Sequence, residues 1–203
     1  MFSITFIIIG LTVLISYQGF SKDLFKEKSM YMPYRVKYNN EYYRIMSHIF
    51  VHGDWGHLCF NMFSLYFLGS FLETQWTNEF GLSANYYFIA LYFGGGVVAT
   101  LWPFYRNSEN SLYRSLGASG AVSSVIFGAM LWQPELELYL MFIPIPIKAY
   151  VLGPLYLLYE YYSMKRGGSG IAHDAHLGGA LFGILFVLLI DSNKGIEFLA
   201  LFL

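Results

Sequence analysis

Ser119 lies in the run Gly117-Ala118-Ser119-Gly120, at the point where an apolar stretch begins. Glycines on both sides permit a tight turn and the close approach of another backbone. Amides at the start of a helix point outward and favour developing negative charge. A serine in this position suits nucleophilic chemistry that generates an oxyanion, although the same small residues also suit close helix packing.

His176 is the candidate base for this serine. His176, Gly179 and Gly183 share one helical face, and glycines four residues apart let another helix come very close. The matching face consists of small residues in the serine's own stretch, Gly120, Ser124 and Gly128. Contact between the two faces would bring Ser119 beside His176, which is the minimal activated nucleophile. Asp174 lies on a different face from His176, so no triad carboxylate is evident.

A third polar cluster precedes and enters the second apolar stretch. His57 and Asn61 are four residues apart and share a helical face, and Asp54 is placed to cap the helix start. His48 and His52 have the same spacing in the preceding segment. Polar side chains at membrane depth are functional candidates, but these can instead fix helix packing by hydrogen bonds. The packing interpretation is stronger for His48 and His52.

The apolar stretches that must position these residues dominate the chain. Of 203 residues, 56% are hydrophobic and only 12% are charged, against about 25% charged in soluble domains. This composition excludes disorder and an ordinary soluble enzyme. With about 20 residues per span, it predicts an all-α membrane protein with six spans in a single domain over 1–203 and no separate soluble domain. The predicted spans are about 2–20, 46–72, 85–104, 117–132, 138–163 and 172–191.

Two predicted spans have unusual features. The fourth is short, and a helix that stops below the interface leaves room for water above its end. The fifth contains Pro144, Pro146 and Pro154, so we expect it to begin with irregular backbone. Glu160, near the end of the fifth span, is the one interior charge outside the clusters. This scarcity of charge and the lack of an internal repeat argue against a transporter or channel.

Taken together, the three motifs resemble those of the rhomboid intramembrane serine proteases over nearly the whole chain. The matching pieces are His57-x-x-x-Asn61, Gly117-Ala118-Ser119-Gly120 and Ala175-His176-x-x-Gly179-x-x-x-Gly183, on three separate spans in this order. Further residues have spacings like those of the family's first loop and second helix, namely Arg44, His48, His52 and Glu73. The resemblance implies a six-helix rhomboid-like bundle with a water-filled cavity open to one side.

The resemblance also implies a role for each site residue. Ser119 would attack the scissile carbonyl, and His176 would take and return its proton without help from a carboxylate. His57, Asn61 and the Ser119 amide would stabilise the oxyanion. No metal or organic cofactor is implied. Substrates would be transmembrane helices that carry small or helix-breaking residues and enter from the lipid bilayer between the second and fifth spans.

Ser123 departs from the family's pattern. Many bacterial members carry an aromatic residue four positions after the serine, and that ring stacks on the catalytic histidine. Here the position holds Ser123. We therefore expect a Tyr or Phe from a neighbouring span to hold the ring of His176.

The basic residues conflict with the family's topology. Six spans would place ten of them on one side: Lys22, Lys26, Lys28, Arg35, Lys37, Arg44, Arg106, Arg114, Lys165 and Arg166. The positive-inside rule assigns that side to the cytoplasm, whereas bacterial family members place the first loop and the cavity mouth outside. We expect a multi-pass protein of a bacterial inner membrane with an outward-facing site. In an organelle membrane the charge rule would have to be applied afresh.

Two other functions compete with proteolysis. A catalytically inactive relative that binds membrane helices would have lost the serine or histidine, and both are present. A metal site from His173 with His176, or from His48 with His52, lacks a third ligand at a defined place, and no HExxH motif occurs. The net charge of −1 favours no nucleic-acid partner.

Overall fold

The computed structural model describes residues 3–139, 145–168 and 170–203, which are mostly helical. The helices are α1 (Ile4–Ser21), α2 (Asp23–Ser29), α3 (Pro33–Asn39), α4 (Arg44–Ser47), α5 (Trp55–Ser64), α6 (Ser70–Phe80), α7 (Ser83–Val98), α8 (Leu101–Asn107), α9 (Ser119–Trp132), α10 (Ala149–Arg166), α11 (His173–Ile190) and α12 (Asn193–Ala200). Two short strands, β1 (Glu137–Tyr139) and β2 (Pro146–Lys148), pair antiparallel.

Three helices in the described parts of the chain are long and apolar enough to cross a membrane. They are Ile4–Ser21, Ser83–Asn107 and His173–Ile190. The all-α membrane class is therefore confirmed. The count of six spans stays a prediction, because the other three candidate spans are composite, short or less apolar.

The second candidate span differs from its predicted bounds of 46–72. Helix α5 begins only at Trp55, where the Asp54 side chain accepts a hydrogen bond from the His57 amide at 2.8 Å. It continues through a π-helical turn, Leu65–Gly69, into α6. The segment before Asp54 forms separate short turns instead. Asp54 caps a new helix because its side chain replaces the backbone partner that an N-terminal amide lacks.

The fifth candidate span is shorter than predicted. Instead of a helix from 138 to 163, residues 137–139 and 146–148 form the hairpin strands, and α10 begins at Ala149. Pro146 lies in β2 and ends the hairpin pairing opposite Tyr139. Pro154 lies inside α10, whereas Pro144 lies outside the described residues. Of the described prolines in this span, Pro146 thus precedes the helix and Pro154 lies within it. The span begins with non-helical backbone, as expected, and its helix starts later than predicted, at Ala149.

Helix α9 is the centre of the fold and packs closely against α11. Of its 14 residues, all except Ser119 and Ile126 are buried. A Cβ built at Gly179 would lie 2.0 Å from the Gly120 carbonyl oxygen, and one at Gly183 would lie 2.2 Å from that of Ser124. Only glycine fits at these two positions of α11. This close helix contact, which the small residues predict, brings the starts of α9 and α11 together.

The segment between α1 and α5 folds around a buried arginine. The Arg44 side chain is 1% exposed, and its guanidinium donates to the carbonyl oxygens of Glu27 at 2.9 Å and Met30 at 2.8 Å. The same guanidinium pairs with the Glu41 carboxylate. These bonds hold α2, α3 and α4 together as a compact element above the second candidate span.

A buried glutamate ties α1 to α6. The Glu73 carboxylate accepts hydrogen bonds from the backbone amides of Ile4 at 2.6 Å and Thr5 at 3.1 Å. It also accepts one from the Ser3 hydroxyl at 2.6 Å. A negative charge at this place satisfies amides that have no partner within the helix and complements the positive end of its dipole.

Candidate active site

The turn before α9 presents Ser119 at the helix start. Gly117 has φ of +115°, a conformation that side chains rarely adopt. A Cβ at this position would also lie 2.5 Å from Cε1 of His57. The backbone therefore needs glycine at 117 for two reasons, its own conformation and the close approach of the His57 ring.

Ser119 and His176 are hydrogen-bonded. Nε2 of His176 lies 2.8 Å from the Ser119 hydroxyl oxygen, although the two residues are 57 positions apart in the chain. On the other side of the same ring, Nδ1 lies 3.1 Å from a carboxylate oxygen of Glu160. Because an ionised carboxylate only accepts hydrogen bonds, the proton of a neutral His176 ring belongs on Nδ1. Nε2 then has a free lone pair directed at the serine hydroxyl.

Glu160 is a residue of the candidate site to which the sequence alone assigns no role. The family resemblance implies a serine and a histidine without a carboxylate, but α10 brings the buried Glu160 side chain against the His176 ring. The signal in the sequence is a lone ionisable group in an apolar stretch. Asp174 is no substitute, since its carboxylate accepts from the Ala175 amide at 3.0 Å.

The second carboxylate oxygen of Glu160 contacts another imidazole. Nδ1 of His173 lies 2.5 Å from this oxygen, and His173 is buried at the start of α11. The ring of His173 also packs edge-on against that of His176, with centroids 6.2 Å apart. The expectation that a Tyr or Phe holds His176 in place of the family's aromatic is therefore wrong. Within the described part of the chain, Glu160 and His173 take that place.

His57 and Asn61 line the same cavity as Ser119 and His176. The Asn61 side-chain amide donates to the His57 carbonyl oxygen at 2.9 Å, as the four-residue spacing on α5 requires. The cavity has a volume of about 1020 Å³ and is bounded by α5, α9, α10 and α11. The four residues predicted from the sequence, Ser119, His176, His57 and Asn61, thus line one cavity at the start of α9.

His48 and His52 hold the backbone next to this cavity. Nε2 of His52 accepts from the Ala118 amide at 3.2 Å, and its Nδ1 lies 2.9 Å from the Ser16 hydroxyl. Nδ1 of His48 donates to the Arg44 carbonyl oxygen at 3.0 Å. Both rings are buried. The His48 carbonyl oxygen also accepts from the Gly117 amide at 3.0 Å. These contacts favour the packing interpretation, in which His52 by its ring and His48 by its backbone fix the turn that carries Ser119.

Glu160, His173 and His176 are also a set of metal-ligand types, with one ligand atom each within 4.8 Å of the others. The third ligand that the sequence does not locate is thus Glu160. Zinc bonds of about 2.0–2.1 Å in tetrahedral geometry hold ligand atoms roughly 3.3 Å apart. The His173 nitrogen and the Glu160 oxygen are 2.5 Å apart, which suits a direct hydrogen bond instead.

The sequence profile of the rhomboid domain matches residues 39–193 of this chain. The chain is 31% identical over 147 residues to RHOMBOID-like protein 12, mitochondrial, of Arabidopsis thaliana, covering 67% of this chain and 43% of that protein. It is 29% identical over 139 residues to presenilin-associated rhomboid-like protein A, mitochondrial, of Danio rerio, covering 64% and 33%. It is 31% identical over 175 residues to rhomboid-like protein 11, chloroplastic, of Arabidopsis thaliana, covering 81% and 57%. The matched region therefore spans about a third to just over half of each relative.

These relatives overturn the expected location. From the sequence we expect a bacterial inner membrane with an outward-facing site, whereas the similar proteins are named as mitochondrial or chloroplastic. The prediction is wrong because it transfers the topology of bacterial family members to a chain whose relatives belong to organelles. The predicted outward-facing site is defined for a bacterial inner membrane, so it falls together with that location.

Proposed function

This chain belongs to the rhomboid family, and from that premise we propose that it is an intramembrane serine endopeptidase that cleaves transmembrane helices. The observation that carries the proposal is the 2.8 Å contact between the Ser119 hydroxyl and Nε2 of His176. A nucleophile and a base within hydrogen-bond reach, with the base in turn held by a third group, are the signature of an activated serine.

The proposed reaction proceeds by acyl transfer. Nε2 of His176 takes the hydroxyl proton as the Ser119 oxygen bonds to the scissile carbonyl carbon. The negative charge that forms on the carbonyl oxygen is stabilised by His57, Asn61 and the Ser119 amide. His176 returns the proton to the leaving amine as the peptide bond breaks. A water molecule then attacks the acyl-enzyme while His176 takes its proton. His176 returns that proton to the Ser119 oxygen as the ester bond breaks and the acid is released.

The substrates we propose are single membrane helices that unwind into the cavity from the lipid. Phe60 of α5 and Tyr159 of α10 line its two walls, which supports entry between these helices, the second and fifth spans. We further propose that residues 1–203 form one six-span domain in an organelle membrane. Its relatives' names support that location.

The alternative is a catalytically inactive relative that only binds membrane helices. Such a protein does not need a serine hydroxyl bonded to an imidazole, since binding requires apolar contact and no proton transfer. The Ser119–His176 hydrogen bond therefore favours the enzyme over the binding protein.

Labelling by a fluorophosphonate in mild detergent tests the proposal. We expect the wild type to be labelled, with labelling lost in both Ser119→Ala and His176→Ala. Ser21→Ala is the matched control and should be labelled like the wild type, because Ser21 is exposed and, among the described residues, its side chain bonds the Tyr17 carbonyl oxygen of its own helix. A zinc chelator should leave labelling unchanged.

Folded wild type that neither reacts with the probe nor cleaves a helical substrate in lipid vesicles would contradict the proposal. That result would favour the inactive relative. Loss of folding in both cavity variants, judged by thermal unfolding, would instead show that the hydrogen bond is structural.

A further inference from the structure

We propose that Glu160 is a positioning residue that completes a Ser119–His176–Glu160 triad, and that His173 holds Glu160 in place. This inference rests on the proposed function, because it assigns how His176 is prepared to act as the base. It adds to the serine and histidine a carboxylate from a different helix, α10.

The two oxygens of one carboxylate serve two rings. One oxygen of Glu160 lies 3.1 Å from Nδ1 of His176, and the other lies 2.5 Å from Nδ1 of His173. His173 and His176 are three residues apart on α11, so their rings extend from adjacent positions on one helical face. With both oxygens engaged, the carboxylate cannot rotate away from His176 without losing a hydrogen bond.

This arrangement selects the chemical form of His176. A carboxylate accepts the Nδ1 proton and cannot donate one, so the tautomer with a free lone pair on Nε2 is favoured. That lone pair is the one 2.8 Å from the Ser119 hydroxyl. When the ring takes the serine's proton it becomes a cation, and the adjacent Glu160 charge stabilises it.

The burial of Glu160 argues for a specific role. The residue is only 2% exposed, and an ionised carboxylate in such a place is costly unless hydrogen bonds satisfy both oxygens. The charged side chains Lys165 and Arg166 of the same helix lie one turn or more away and are largely exposed. Hydrogen bonds come from two imidazoles of the neighbouring helix and from the Tyr156 hydroxyl of α10, and one of the imidazoles is also bonded to the serine.

The experiment compares Glu160→Gln, Glu160→Asp and His173→Leu with the wild type and with Ser119→Ala. Turnover of a helical substrate in lipid vesicles gives kcat and KM, and fluorophosphonate labelling gives the reactivity of Ser119 without a substrate. Glu73→Gln is the matched control, since it also neutralises a buried glutamate but one bonded to the start of α1. Thermal unfolding and metal content are measured for every variant.

We expect Glu160→Gln to lower kcat by about 10²–10⁴-fold, because its amide group can donate to Nδ1 and favour the wrong tautomer. KM should stay within about threefold, since the carboxylate is almost fully buried and both of its oxygens are bonded to imidazoles. Labelling should slow in parallel. Glu160→Asp should recover part of the loss, and His173→Leu should lower kcat by about tenfold. Glu73→Gln should lower the unfolding temperature but keep kcat near that of the wild type.

Different results separate the possible failures. If the wild type is active and Ser119→Ala is not, but Glu160→Gln keeps kcat within threefold, the triad is overturned and the proposed protease stands. If the wild type itself is inactive, the proposed function fails. Stoichiometric metal that is lost in Glu160→Gln would overturn the triad in favour of a metal site. Should Glu160→Gln not fold, His173→Leu decides, because unchanged kcat there removes the role given to the second oxygen.

Discussion

Glu73 and Glu160 are both glutamates buried among apolar helices, and they differ in what they bind. Glu73 accepts hydrogen bonds from two backbone amides and a serine hydroxyl, none of which changes its charge in water. Glu160 accepts from two imidazoles, which are groups that can gain or lose a proton, and from the Tyr156 hydroxyl. A buried carboxylate is thus a structural tie where its donors are permanent. It is a candidate for chemistry where its donors can gain or lose a proton.

The largest effect that we expect comes from the helix contact on which the Glu160 site depends. Gly179→Val should lower activity at least about 100-fold, because the Gly120 carbonyl oxygen would lie 2.0 Å from the new Cβ and the helices would have to separate. The free energy of unfolding should fall by about 3 kcal/mol. Turnover and thermal unfolding measure both effects.

Gly10→Ala is the control for this helix contact. A Cβ at Gly10 would meet no heavy atom within 4 Å, so activity should stay unchanged. Stability should not fall, because alanine is a better helix former than glycine. Nearly normal turnover in Gly179→Val would mean that the distance between Ser119 and His176 does not depend on close contact of α9 and α11. The geometry around Glu160 would then tolerate a change in helix distance as well as the geometry around Glu73.

Removal of the structural carboxylate should have the next largest effect. Glu73→Ala leaves the amides of Ile4 and Thr5 without their partner, so we expect a loss of about 2–3 kcal/mol in the free energy of unfolding. The kcat of the folded protein should stay within about threefold of the wild-type value. It is calculated per molecule that the fluorophosphonate labels. A selective fall in kcat with intact stability would erase the distinction between the two glutamates.

Ser3→Ala should have a smaller effect of the same kind. The Ser3 hydroxyl donates to Glu73 at 2.6 Å, and two backbone amides remain to bind the carboxylate after its loss. We expect about 1 kcal/mol of destabilisation in thermal unfolding and unchanged turnover. Ser21→Ala, at the exposed end of the same helix, should change neither quantity. Equal effects of the two serine variants would show that Glu73 does not depend on Ser3.

An exposed carboxylate should have the smallest effect. Glu109 pairs with Lys37 and accepts from the Tyr38 hydroxyl at 2.7 Å. The Lys37 hydrogen bond holds the pKa of the Glu109 carboxyl below its ordinary value. Its stabilisation is therefore present above the unfolded pKa and is lost as pH falls through the folded pKa.

Glu109→Gln should change the unfolding temperature by no more than about 2 °C at neutral pH, because solvent screens exposed pairs. The difference in unfolding temperature from the wild type should vanish in acid, where the protonated wild-type carboxyl is neutral like the glutamine amide. Unfolding temperatures at several pH values measure this. A difference that grows as pH falls would refute the assigned sign.

Local patterns in the sequence predict a large part of this arrangement. The small residues of α9 and α11 indicate their close contact, because side-chain size at spacings of three and four residues determines how near two helices come. Asp54 indicates a helix start, because a capping side chain acts within its own turn. These features depend on residues close together in the chain or on a simple repeat.

The features that the sequence does not reveal depend on how distant segments cross. Glu160 reaches His176 only because α10 and α11 lie side by side after a glycine-containing loop, and no spacing rule links the two residues. The spacing of His48 and His52 suits a helix, yet His48 lies in a short helical turn and His52 in irregular backbone before Asp54. The hairpin formed by β1 and β2 likewise replaces a predicted helical start, because strand pairing depends on register rather than on apolarity.

Ser119 and His176 are 57 positions apart in the chain, so the two residues are synthesised at different times. A ribosome that adds roughly 5–20 residues per second completes the serine about 3–11 s before the histidine. Glu160 and His173 are synthesised in the same interval. In the protease that we propose, the nucleophile therefore lacks its base until the start of α11 has been made.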